Sequence, residues 1–583
     1  MKENTPSRDD PQNGHQAPIG NTVTTGRFPQ QIFPPRVLPD LLASAVARYP
    51  ERVALDFSGR HWSYAELGAL VERAARGLQD AGLKPGDRLG LCLPNTPYFV
   101  ILYFAALRIG AVIVNFNPLY APAELVHQIH DSGTRMLAVP DLAMIHDKVV
   151  GIAEEAGLER IIACPMADIL PPFMAFGWRW LKRKDHPKHS AGWRALAFAD
   201  LIAHDAAPEQ VALSPDDIAV LQYTGGTTGT PKGAMLTHAN LAANSAQMLA
   251  HVGGADGPQQ RTLGVLPMFH VFALTTVLNF SIEVAAEIVL LPRFEMSEVL
   301  SALKRKPPTQ FFGVPTMYVA LGNLPDARVP DLSALRACVS GGAPLPHDVR
   351  ETFERRTRGR VVEGYGLTEA SPIIACNPVE GLLKPDSCGP AFPGTVLEIR
   401  DPDDPTRLLG PGEKGEVCAR GPQVMKGYWQ RSEDTAKTFI DGALRTGDIG
   451  YLDEDGYLFL VDRIKDVIIC GGYNVYPRVI EEAVYAHPAV SEAVAIGVPD
   501  PYRGQSPKLF VTLRAGEWVT REALGEFLSA RLSKIELPHD IEIRASLPKT
   551  QIGKISRKDL VAEEAARRAV AEIAAQHDGG EGL

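Results

Sequence analysis

A short run rich in glycine and threonine, residues 223–233, constrains this chain more than any other stretch. It contains four glycines, four threonines and one lysine, Lys232. The apolar residues 217–222 before it predict a strand, and a helix is predicted from Thr237. Glycines let backbone N–H groups turn toward a phosphate, threonine hydroxyls add donors, and the lysine adds a mobile positive charge. The run therefore predicts a polyphosphate-binding loop.

This loop is not a Walker A loop, in which the lysine stands between glycine and serine or threonine. Here Pro231 precedes Lys232 and Gly233 follows it. A flexible linker is the alternative interpretation, but linkers seldom run from a strand through a lysine-bearing loop into a helix.

The sequence YTGGTTGTPKG at 223–233 resembles the phosphate loop of the adenylate-forming enzymes, which include acyl-CoA ligases, adenylation domains and luciferases. The flanking residues 221–222 and 234–238 resemble most closely the fatty acyl-CoA ligases. The resemblance covers nearly the whole chain, from about residue 33 to residue 560. It implies that ATP, coenzyme A and a fatty acid are the substrates and that Mg²⁺ assists.

The length of 583 residues exceeds what one compact core accommodates, so at least two domains are expected. Strands alternate with helices through residue 220, which predicts parallel sheets covered by helices. The resemblance implies an α/β fold with a large N-terminal domain of helix-covered sheets, a β-barrel-like subdomain and a small mobile C-terminal α+β domain. The expected bounds are a disordered tail at 1–31, the large domain at 32–463, the small domain at 464–565 and a helical, frayed tail at 566–583.

Composition excludes several classes of protein. A net charge of −10 argues against nucleic acid as the main partner. The seven cysteines are scattered without a CxxC pair, so neither a zinc site nor a disulfide framework is indicated, and a reducing cytoplasm is expected. The polar N-terminus lacks the apolar core of a signal peptide. The most apolar stretch, 265–291, contains Pro267 and Glu283 and is interpreted as buried core.

Two glycine-containing segments further along predict the base-binding part of the site. In residues 339–345, small side chains let the backbone approach a flat ligand. In residues 363–369, Tyr365 can stack on adenine, Thr368 can bond a phosphate and Glu369 offers a hard oxygen to Mg²⁺. The resemblance assigns Asp448 to the ribose hydroxyls and Arg463 to the nucleotide. The full set implied for cofactor binding is Thr224, Gly225, Gly226, Thr227, Thr228, Gly229, Lys232, Gly341, Gly342, Ala343, Glu363, Gly364, Tyr365, Gly366, Thr368, Asp448, Arg463, Lys465, Gly471 and Gly472, with Thr224 and Glu369 as the metal ligands.

The apolar run around His270 is expected to border the acyl chain. A lone histidine in such a run is often a satisfied core residue, and this remains the alternative. The resemblance places it beside the acyl pocket, whose expected lining is His270, Phe272, Leu274 and Val314.

The resemblance also implies a catalytic lysine, Lys554, in the small domain. A hinge at Lys465 would let that domain close over the site and later rotate, which would bring Gly471 and Gly472 to the CoA channel. The alternative is that Lys554 is an ordinary solvated lysine. With Lys232, Thr368 and Glu369 it completes the expected catalytic set.

Residues 170–184 combine aromatic side chains with four cations in six positions, namely Arg179 and 182–184. This pattern suits an anionic membrane surface, and a surface excursion that packs on its own domain is the alternative. The expected location is therefore the cytoplasm, with a peripheral contact on the inner face of the membrane. A homodimer is a further hypothesis.

The function implied by the resemblance has two steps. A fatty carboxylate of medium or long chain attacks the α-phosphate of ATP, and the CoA thiol then attacks the acyl-adenylate. Two alternatives stay open: delivery of the acyl group to a carrier protein instead of CoA, and a non-catalytic lipid carrier that retains only the acyl tunnel.

Overall fold

The computed structural model describes residues 32–181, 194–203, 205–224, 231–253, 257–470, 473–549 and 555–578. The expected disordered tail at 1–31 lies outside these residues. So do the middle of the phosphate loop at 225–230, Gly471, Gly472 and Lys554.

The strands of the described residues form four sheets. In chain order they are β1 (Val53–Phe57), β2 (Arg60–Ser63), β3 (Arg88–Leu91), β4 (Val112–Asn115), β5 (Thr134–Pro140), β6 (Arg160–Cys164), β7 (Ala195–Ala197), β8 (Ile218–Thr224), β9 (Lys232–Thr237), β10 (Arg261–Gly264), β11 (Glu287–Leu290), β12 (Gln310–Gly313), β13 (Ala337–Ser340), β14 (Val362–Gly366), β15 (Ile373–Cys376), β16 (Gly389–Pro390), β17 (Val396–Arg400), β18 (Gly415–Arg420), β19 (Phe439–Ile440), β20 (Ala443–Leu452), β21 (Tyr457–Arg463), β22 (Ile468–Cys470), β23 (Tyr473–Val475), β24 (Val490–Asp500), β25 (Gly504–Leu513) and β26 (Asp540–Ile543).

The helices cover these sheets. They are α1 (Pro39–Arg48), α2 (Tyr64–Asp80), α3 (Pro97–Arg108), α4 (Pro122–Ser132), α5 (Ala143–Ile152), α6 (Pro172–Leu181), α7 (Phe198–Leu201), α8 (His238–Val252), α9 (Val271–Ala273), α10 (Phe280–Glu283), α11 (Met296–Arg305), α12 (Pro315–Gly322), α13 (His347–Thr357), α14 (Ser432–Thr438), α15 (Pro477–Tyr485), α16 (Arg521–Ser529) and α17 (Arg557–Asp578). A π-helix, Leu274–Asn279, joins α9 to α10.

Two large sheets make up most of the N-terminal part. One has the order β15-β14-β13-β12-β10-β11-β1-β2 and the other the order β7-β6-β5-β3-β4-β8-β9. Their inner neighbours pair in parallel, whereas β2, β9 and β15 are antiparallel to their partners. Helix α3 is apolar all round and buries every residue from Pro97 to Leu107, as a helix inside a large core must.

Two further sheets follow, in which every strand pair is antiparallel except β25–β26, which is parallel. The six-stranded sheet β16-β21-β20-β18-β17, with β19 beside β20, corresponds to the expected barrel-like subdomain. The C-terminal unit has a five-stranded sheet, β23-β22-β25-β24 with β26 beside β25, and its own core around Ile480, Leu509 and Leu524. The predicted α/β class, with a large N-terminal and a smaller C-terminal part, is confirmed.

The segment around the phosphate loop differs from its prediction in one respect. The helix predicted from Thr237 is α8, and the Thr237 side chain accepts a hydrogen bond from the N–H of Asn240 as its N-cap. Between loop and helix, however, the chain forms β9, which pairs antiparallel with β8 so that Thr224 faces Lys232. The loop therefore closes a β-hairpin instead of leading directly from a strand into a helix.

The apolar stretch at 265–291 is buried core, as expected. Leu274, Val277 and Ile288 are fully buried. None of the described helices combines the length and the apolar composition that a membrane-spanning helix requires. All seven cysteine thiols are free and buried.

Candidate active site

The base-binding segments lie at one edge of the first large sheet. Gly341, Gly342 and Ala343 follow β13, and the next strand, β14, carries residues 363–366. A side chain at position 366 would place its Cβ 2.1 Å from the Pro372 carbonyl oxygen, so only glycine fits there. A Cβ at position 341 would lie 3.0 Å from the Phe272 ring. These close contacts leave no space for a side chain at position 366 and little at position 341.

The expected ribose acceptor lies beside the expected adenine-stacking residue. The Tyr365 hydroxyl donates a hydrogen bond to Asp448 Oδ2. Arg463 Nε lies 3.2 Å from Asp448 Oδ1, because β20 and β21 pair these two residues across the strands. The structure thus brings three separately predicted residues together, and burial next to Asp448 holds the pKa of Tyr365 well above its usual range.

Glu363 lies in β14, two residues before Tyr365. Its Oε2 accepts a hydrogen bond of 3.3 Å from the N–H of Leu345. Burial raises the pKa of Glu363 to about 7, although the positive charge of Arg478 in α15 works in the opposite direction. The pKa of this carboxyl group is therefore close to neutral pH. Because Arg478 belongs to α15 of the C-terminal unit, a charge of that unit acts on Glu363.

The phosphate end is built around Lys232 at the start of β9. Lys232 Nζ forms an ion pair of 2.9 Å with Asp434 Oδ1 of α14, and it lies 5.3 Å from the centre of the Tyr428 ring. Both charged side chains are about one-third exposed, at 37% and 34%. The Lys232 ammonium also lowers the pKa of Asp434. The lysine predicted to bind phosphate is thus paired with a carboxylate.

Glu369 is held from the same side. The Tyr428 hydroxyl donates a hydrogen bond of 2.7 Å to Glu369 Oε1. The backbone around Tyr428 is fixed at both ends, since the N–H of Met425 bonds the Glu369 carbonyl and the N–H of Trp429 bonds the Gly233 carbonyl, each at 2.8 Å. Thr368 stands next to Glu369 in a 3-10 turn. Lys232 and Glu369 are therefore joined through one tyrosine.

Sequence reasoning missed Tyr428 and Asp434. Neither belongs to a glycine loop or to a segment with a recognisable spacing, and both lie about 200 residues after Lys232 in the chain. Only the contacts reveal them.

The donor set at the phosphate end suits Mg²⁺. Mg²⁺ is usually bound through one or two carboxylates together with substrate phosphates and water. Glu369 provides one carboxylate, of which Oε1 accepts the tyrosine hydrogen bond. Thr224, at the end of β8 opposite Lys232, adds a partly exposed hydroxyl-bearing residue. This set fits a magnesium–nucleotide complex.

A second acidic cluster elsewhere does not fit a metal. Ligand atoms of Asp56, His61 and Glu287 lie within 4.8 Å of one another. However, Arg305 binds both oxygens of Asp56 at 2.6 and 2.7 Å, and Lys306 binds Glu287 at 2.8 Å. Basic side chains already neutralise these carboxylates, so the cluster is a structural ion-pair network.

The expected acyl-pocket residues lie in the segment 270–274 and just after β12. Phe272 packs against Gly341, Leu274 is fully buried at the start of the π-helix, and Val314 precedes α12. The centre of the His270 ring lies 4.9 Å from that of the Phe269 ring, with the two planes tilted by 45°. The Phe269 carbonyl accepts a hydrogen bond of 2.8 Å from Gln222 of β8. This bond connects the segment to the hairpin formed by β8 and β9.

The expected hinge follows β21. Lys465 lies in a 3-10 turn, and desolvation lowers its pKa, as does Arg463, while Asp466, Asp448 and Glu369 oppose the shift. Next to it, the Asp462 carboxylate accepts hydrogen bonds of 2.8 Å from the N–H groups of Arg463 and Arg478. Burial raises the pKa of Asp462 to about 6.

Comparison with known proteins gives these residues a context. The profile described as AMP-binding enzyme matches residues 42–429, and the profile of the AMP-binding enzyme C-terminal domain matches residues 479–554. The chain belongs to the AMP-binding enzyme family. The first match covers the described phosphate hairpin, the β13–β14 edge and Glu369 of this AMP-binding enzyme, and it ends at the Tyr428–Trp429 segment.

Curated relatives match nearly the whole enzyme. It is 40% identical over 536 residues to a long-chain-fatty-acid–CoA ligase of Bacillus subtilis (strain 168), which covers 91% of this chain and 95% of the relative. It is 37% identical over 546 residues to a long-chain-fatty-acid–CoA ligase of Escherichia coli O157:H7, covering 91% and 96%.

Solved structures share the fold. ATP-bound MatB from Rhodopseudomonas palustris superimposes with a TM-score of 0.78 at 30% identity and covers 90% of this chain and 98% of its own. The anthranilate CoA ligase AuaEII in complex with anthranoyl-AMP gives a TM-score of 0.78 at 27% identity, covering 92% and 99%.

Proposed function

We propose that this AMP-binding enzyme activates a medium- or long-chain fatty acid with ATP and transfers the acyl group to coenzyme A. The observation that carries the proposal is the arrangement of Asp448, Tyr365 and Arg463 at one end of the site and of Lys232, Tyr428 and Glu369 at the other. The names of the curated relatives support a long-chain acid as substrate.

The chemistry proceeds in two steps. First, a carboxylate oxygen of the fatty acid attacks the α-phosphate of ATP, the bond to the β-phosphate breaks, and pyrophosphate leaves with its electron pair. Second, the CoA thiol loses its proton and attacks the acyl carbon, and AMP leaves. Neither step requires a covalent intermediate on the enzyme, so catalysis consists of positioning and charge stabilisation.

Each described residue has a defined task in the first step. Asp448 accepts hydrogen bonds from the ribose hydroxyls once Tyr365 and Arg463 turn toward the base and the phosphates. Lys232 pairs with the phosphates in place of Asp434, and Glu369 and Thr224 would hold Mg²⁺. Bound Mg²⁺ supplies positive charge to the phosphate oxygens.

The small domain completes the proposal. The sequence resemblance is the basis for four of its features: the bounds at 464–565, the hinge at Lys465, the loop at Gly471 and Gly472, and the catalytic lysine Lys554. Gly471, Gly472 and Lys554 lie outside the described residues. Lys554 is assigned to the reacting carboxylate and α-phosphate in the first step. A peripheral membrane contact and a homodimer belong to the same proposal.

Release of AMP tests this function. Purified enzyme is given ATP, Mg²⁺ and each of a series of fatty acids from eight to eighteen carbons, with and without CoA. We expect acid-dependent AMP release that requires CoA and is fastest for one part of the series. Acyl-AMP that accumulates despite CoA, and that is released only to a carrier protein, would favour the acyl-AMP ligase alternative. Absence of pyrophosphate with every acid would leave only a lipid carrier.

A further inference from the structure

The carboxylate of Asp131 occupies an unfavourable place in helix α4. Asp131 is the penultimate residue of this helix, which ends at Ser132. The C-terminal end of a helix carries partial negative charge, so a second negative charge there is destabilising. The Asp131 side chain is nevertheless only 10% exposed. A charge that is kept in such a position indicates a specific set of partners.

Both carboxylate oxygens of Asp131 have partners from distant parts of the chain. Oδ2 accepts a hydrogen bond of 2.6 Å from the Tyr223 hydroxyl, and Oδ1 pairs with Arg431 Nη2 at 2.7 Å. These partners lie 92 and 300 positions away in the sequence. Burial, together with Asp131, raises the pKa of Tyr223 well above its usual range, so the hydroxyl keeps its proton and is the donor.

Trp429 completes a closed set of contacts around Asp131. Its indole N–H donates a hydrogen bond of 3.1 Å to the Asp131 carbonyl, and its backbone N–H donates one of 2.8 Å to the Gly233 carbonyl. Gly233 faces Tyr223 across the hairpin of β8 and β9, where a Cβ at position 233 would lie 3.2 Å from the tyrosine ring. Asp131, Tyr223, Gly233 and Trp429 together form the Asp131 clamp, which holds both strands of the hairpin.

The Asp131 clamp lies next to the expected phosphate ligands in the sequence. Thr224, Lys232 and Tyr428 are each the immediate neighbour of one member of the clamp. Thr224 and Lys232 are also paired across the two strands, at the base of the phosphate loop. A shift of either strand would therefore change the separation of these two residues, and a misplacement of about 1 Å in a positioned group can cost roughly 10²-fold in rate.

We propose that Asp131 is a positioning residue for adenylate formation, which acts through Tyr223 and Trp429 to fix the base of the phosphate loop. This inference rests on the proposed function, because adenylate formation is the step in which the loop binds the polyphosphate. The second step should depend on Asp131 much less, since pyrophosphate has already left when the CoA thiol attacks the acyl carbon.

Separate measurement of the two half-reactions tests the inference. Exchange of labelled pyrophosphate into ATP reports adenylate formation, and acyl-CoA production from supplied acyl-AMP reports the second step. In Asp131→Ala we expect exchange to fall by about ten- to a hundredfold and the second step to stay within about threefold of the wild type. Asp131→Asn should keep exchange within about fivefold, because its amide can accept from Arg431 and donate to the Tyr223 hydroxyl oxygen.

Asp87→Ala is the matched control. Asp87 is 18% exposed, forms an ion pair with Arg135 and stands just before β3, which β4 separates from β8 in the same sheet. Both alanine variants remove a largely buried carboxylate from an arginine, so both should unfold at lower denaturant concentration. Only Asp131→Ala should lose exchange, which distinguishes positioning from a general loss of stability.

Tyr223→Phe keeps the test decisive if Asp131→Ala does not fold, because it leaves Asp131 paired with Arg431. We expect its exchange to fall by about three- to tenfold with the second step unchanged. The losses in Asp131→Asn and Tyr223→Phe should not add in the double variant, since both act on one hydrogen bond.

Three results would overturn the inference: wild-type exchange in Asp131→Ala or Tyr223→Phe, equal losses in the two half-reactions, or additive losses in the double variant. Absence of exchange in the wild type would instead refute the proposed function, and the role of Asp131 would fall with it.

Discussion

The two ends of the nucleotide site are held in different ways. At the ribose end, Asp448 is 9% exposed and its partners Tyr365 and Arg463 are themselves expected nucleotide ligands. At the phosphate end, Lys232 and Glu369 are paired with Asp434 and Tyr428, which no sequence motif announces. Strand register therefore holds Asp448 beside Arg463, whereas an ion pair and one tyrosine position Lys232 and Glu369. Under the proposed function, a polyphosphate would have to replace Asp434 as the partner of Lys232.

The phosphate end should be the more sensitive to loss of charge. Glu369→Gln removes the carboxylate assigned to Mg²⁺ but retains an acceptor for the Tyr428 hydroxyl. We expect the rate of adenylate formation to fall by about 10²–10³, since charge stabilisation at the transition state is lost. Stopped-flow release of pyrophosphate measures it, with Glu433→Gln on exposed α14 as the control. A rate within threefold of wild type at ordinary Mg²⁺ would remove Glu369 from the metal site.

The ribose end should respond in affinity more than in rate. Asp448→Ala removes the acceptor for two ribose hydroxyls, each worth about 1 kcal/mol or somewhat more. We expect the KM for ATP to rise by about tenfold to a hundredfold and the KM for the fatty acid to change little. Steady-state kinetics with each substrate varied provide the measurement, and Asp403→Ala in an exposed turn of the same subdomain serves as the reference. An unchanged KM for ATP would contradict the assignment.

Tyr428 offers a way to separate its hydroxyl from its ring. Tyr428→Phe deletes the hydrogen bond to Glu369 but leaves the ring beside Lys232. We expect a loss of roughly three- to tenfold in kcat and a higher Mg²⁺ requirement, because one hydrogen bond to a charged group is removed. The variant Tyr502→Phe, at a position that is 94% exposed, should behave as wild type. Equal Mg²⁺ titration curves for Tyr428→Phe and wild type would show that the tyrosine does not position the carboxylate.

Glu363 makes the ribose end sensitive to pH. Because its pKa is raised from 4.5 to about 7 in the folded protein, the favourable effect of its protonation is fully present below pH 4.5 and is lost as the pH rises through about 7. Between pH 6 and pH 8, wild type should therefore lose on the order of 1 kcal/mol of unfolding free energy relative to Glu363→Gln. Denaturant unfolding of both proteins at the two pH values measures the difference. Parallel pH dependence would mean that Glu363 is ionised throughout.

The smallest effect is expected at Asp434, and it has the opposite sign. Asp434→Asn releases Lys232 from its ion pair, so ATP no longer competes with the aspartate. Partly exposed ion pairs stabilise only weakly, so we expect a fall of up to about fivefold in the KM for ATP. A rise in KM would instead show that Asp434 orients the lysine for phosphate. Glu433→Gln in the same helix makes the same change in net charge and serves as the control.

Much of this architecture could be predicted from the sequence, and the reasons differ between elements. Thr237 and Asn240 form a local capping box, so the start of α8 was predictable from four residues. The strand β9 was not predictable, because its six residues show no clear alternation of polar and apolar side chains. Its pairing with β8 defines it. Tyr365 and Asp448 were predicted separately as nucleotide ligands, but their hydrogen bond depends on the contact of two sheets and joins residues 83 positions apart in the chain.

The exposed face of α6 illustrates the same limit. The sequence predicted either a membrane contact or a segment packed on its own domain. In the structure Trp178 packs inward while Phe173 and Phe176 face outward, and this division follows from how the helix lies against the core. Helical spacing alone could not decide which side the core would cover.

The central claim is that this one site forms an acyl-adenylate before CoA takes part. Exchange of labelled pyrophosphate into ATP, measured without CoA, tests it most directly. We predict exchange that requires both Mg²⁺ and a fatty acid, and that falls at least about a hundredfold in Glu369→Gln. Exchange that appears only when CoA is added, or that persists without a fatty acid, would contradict the two-step account.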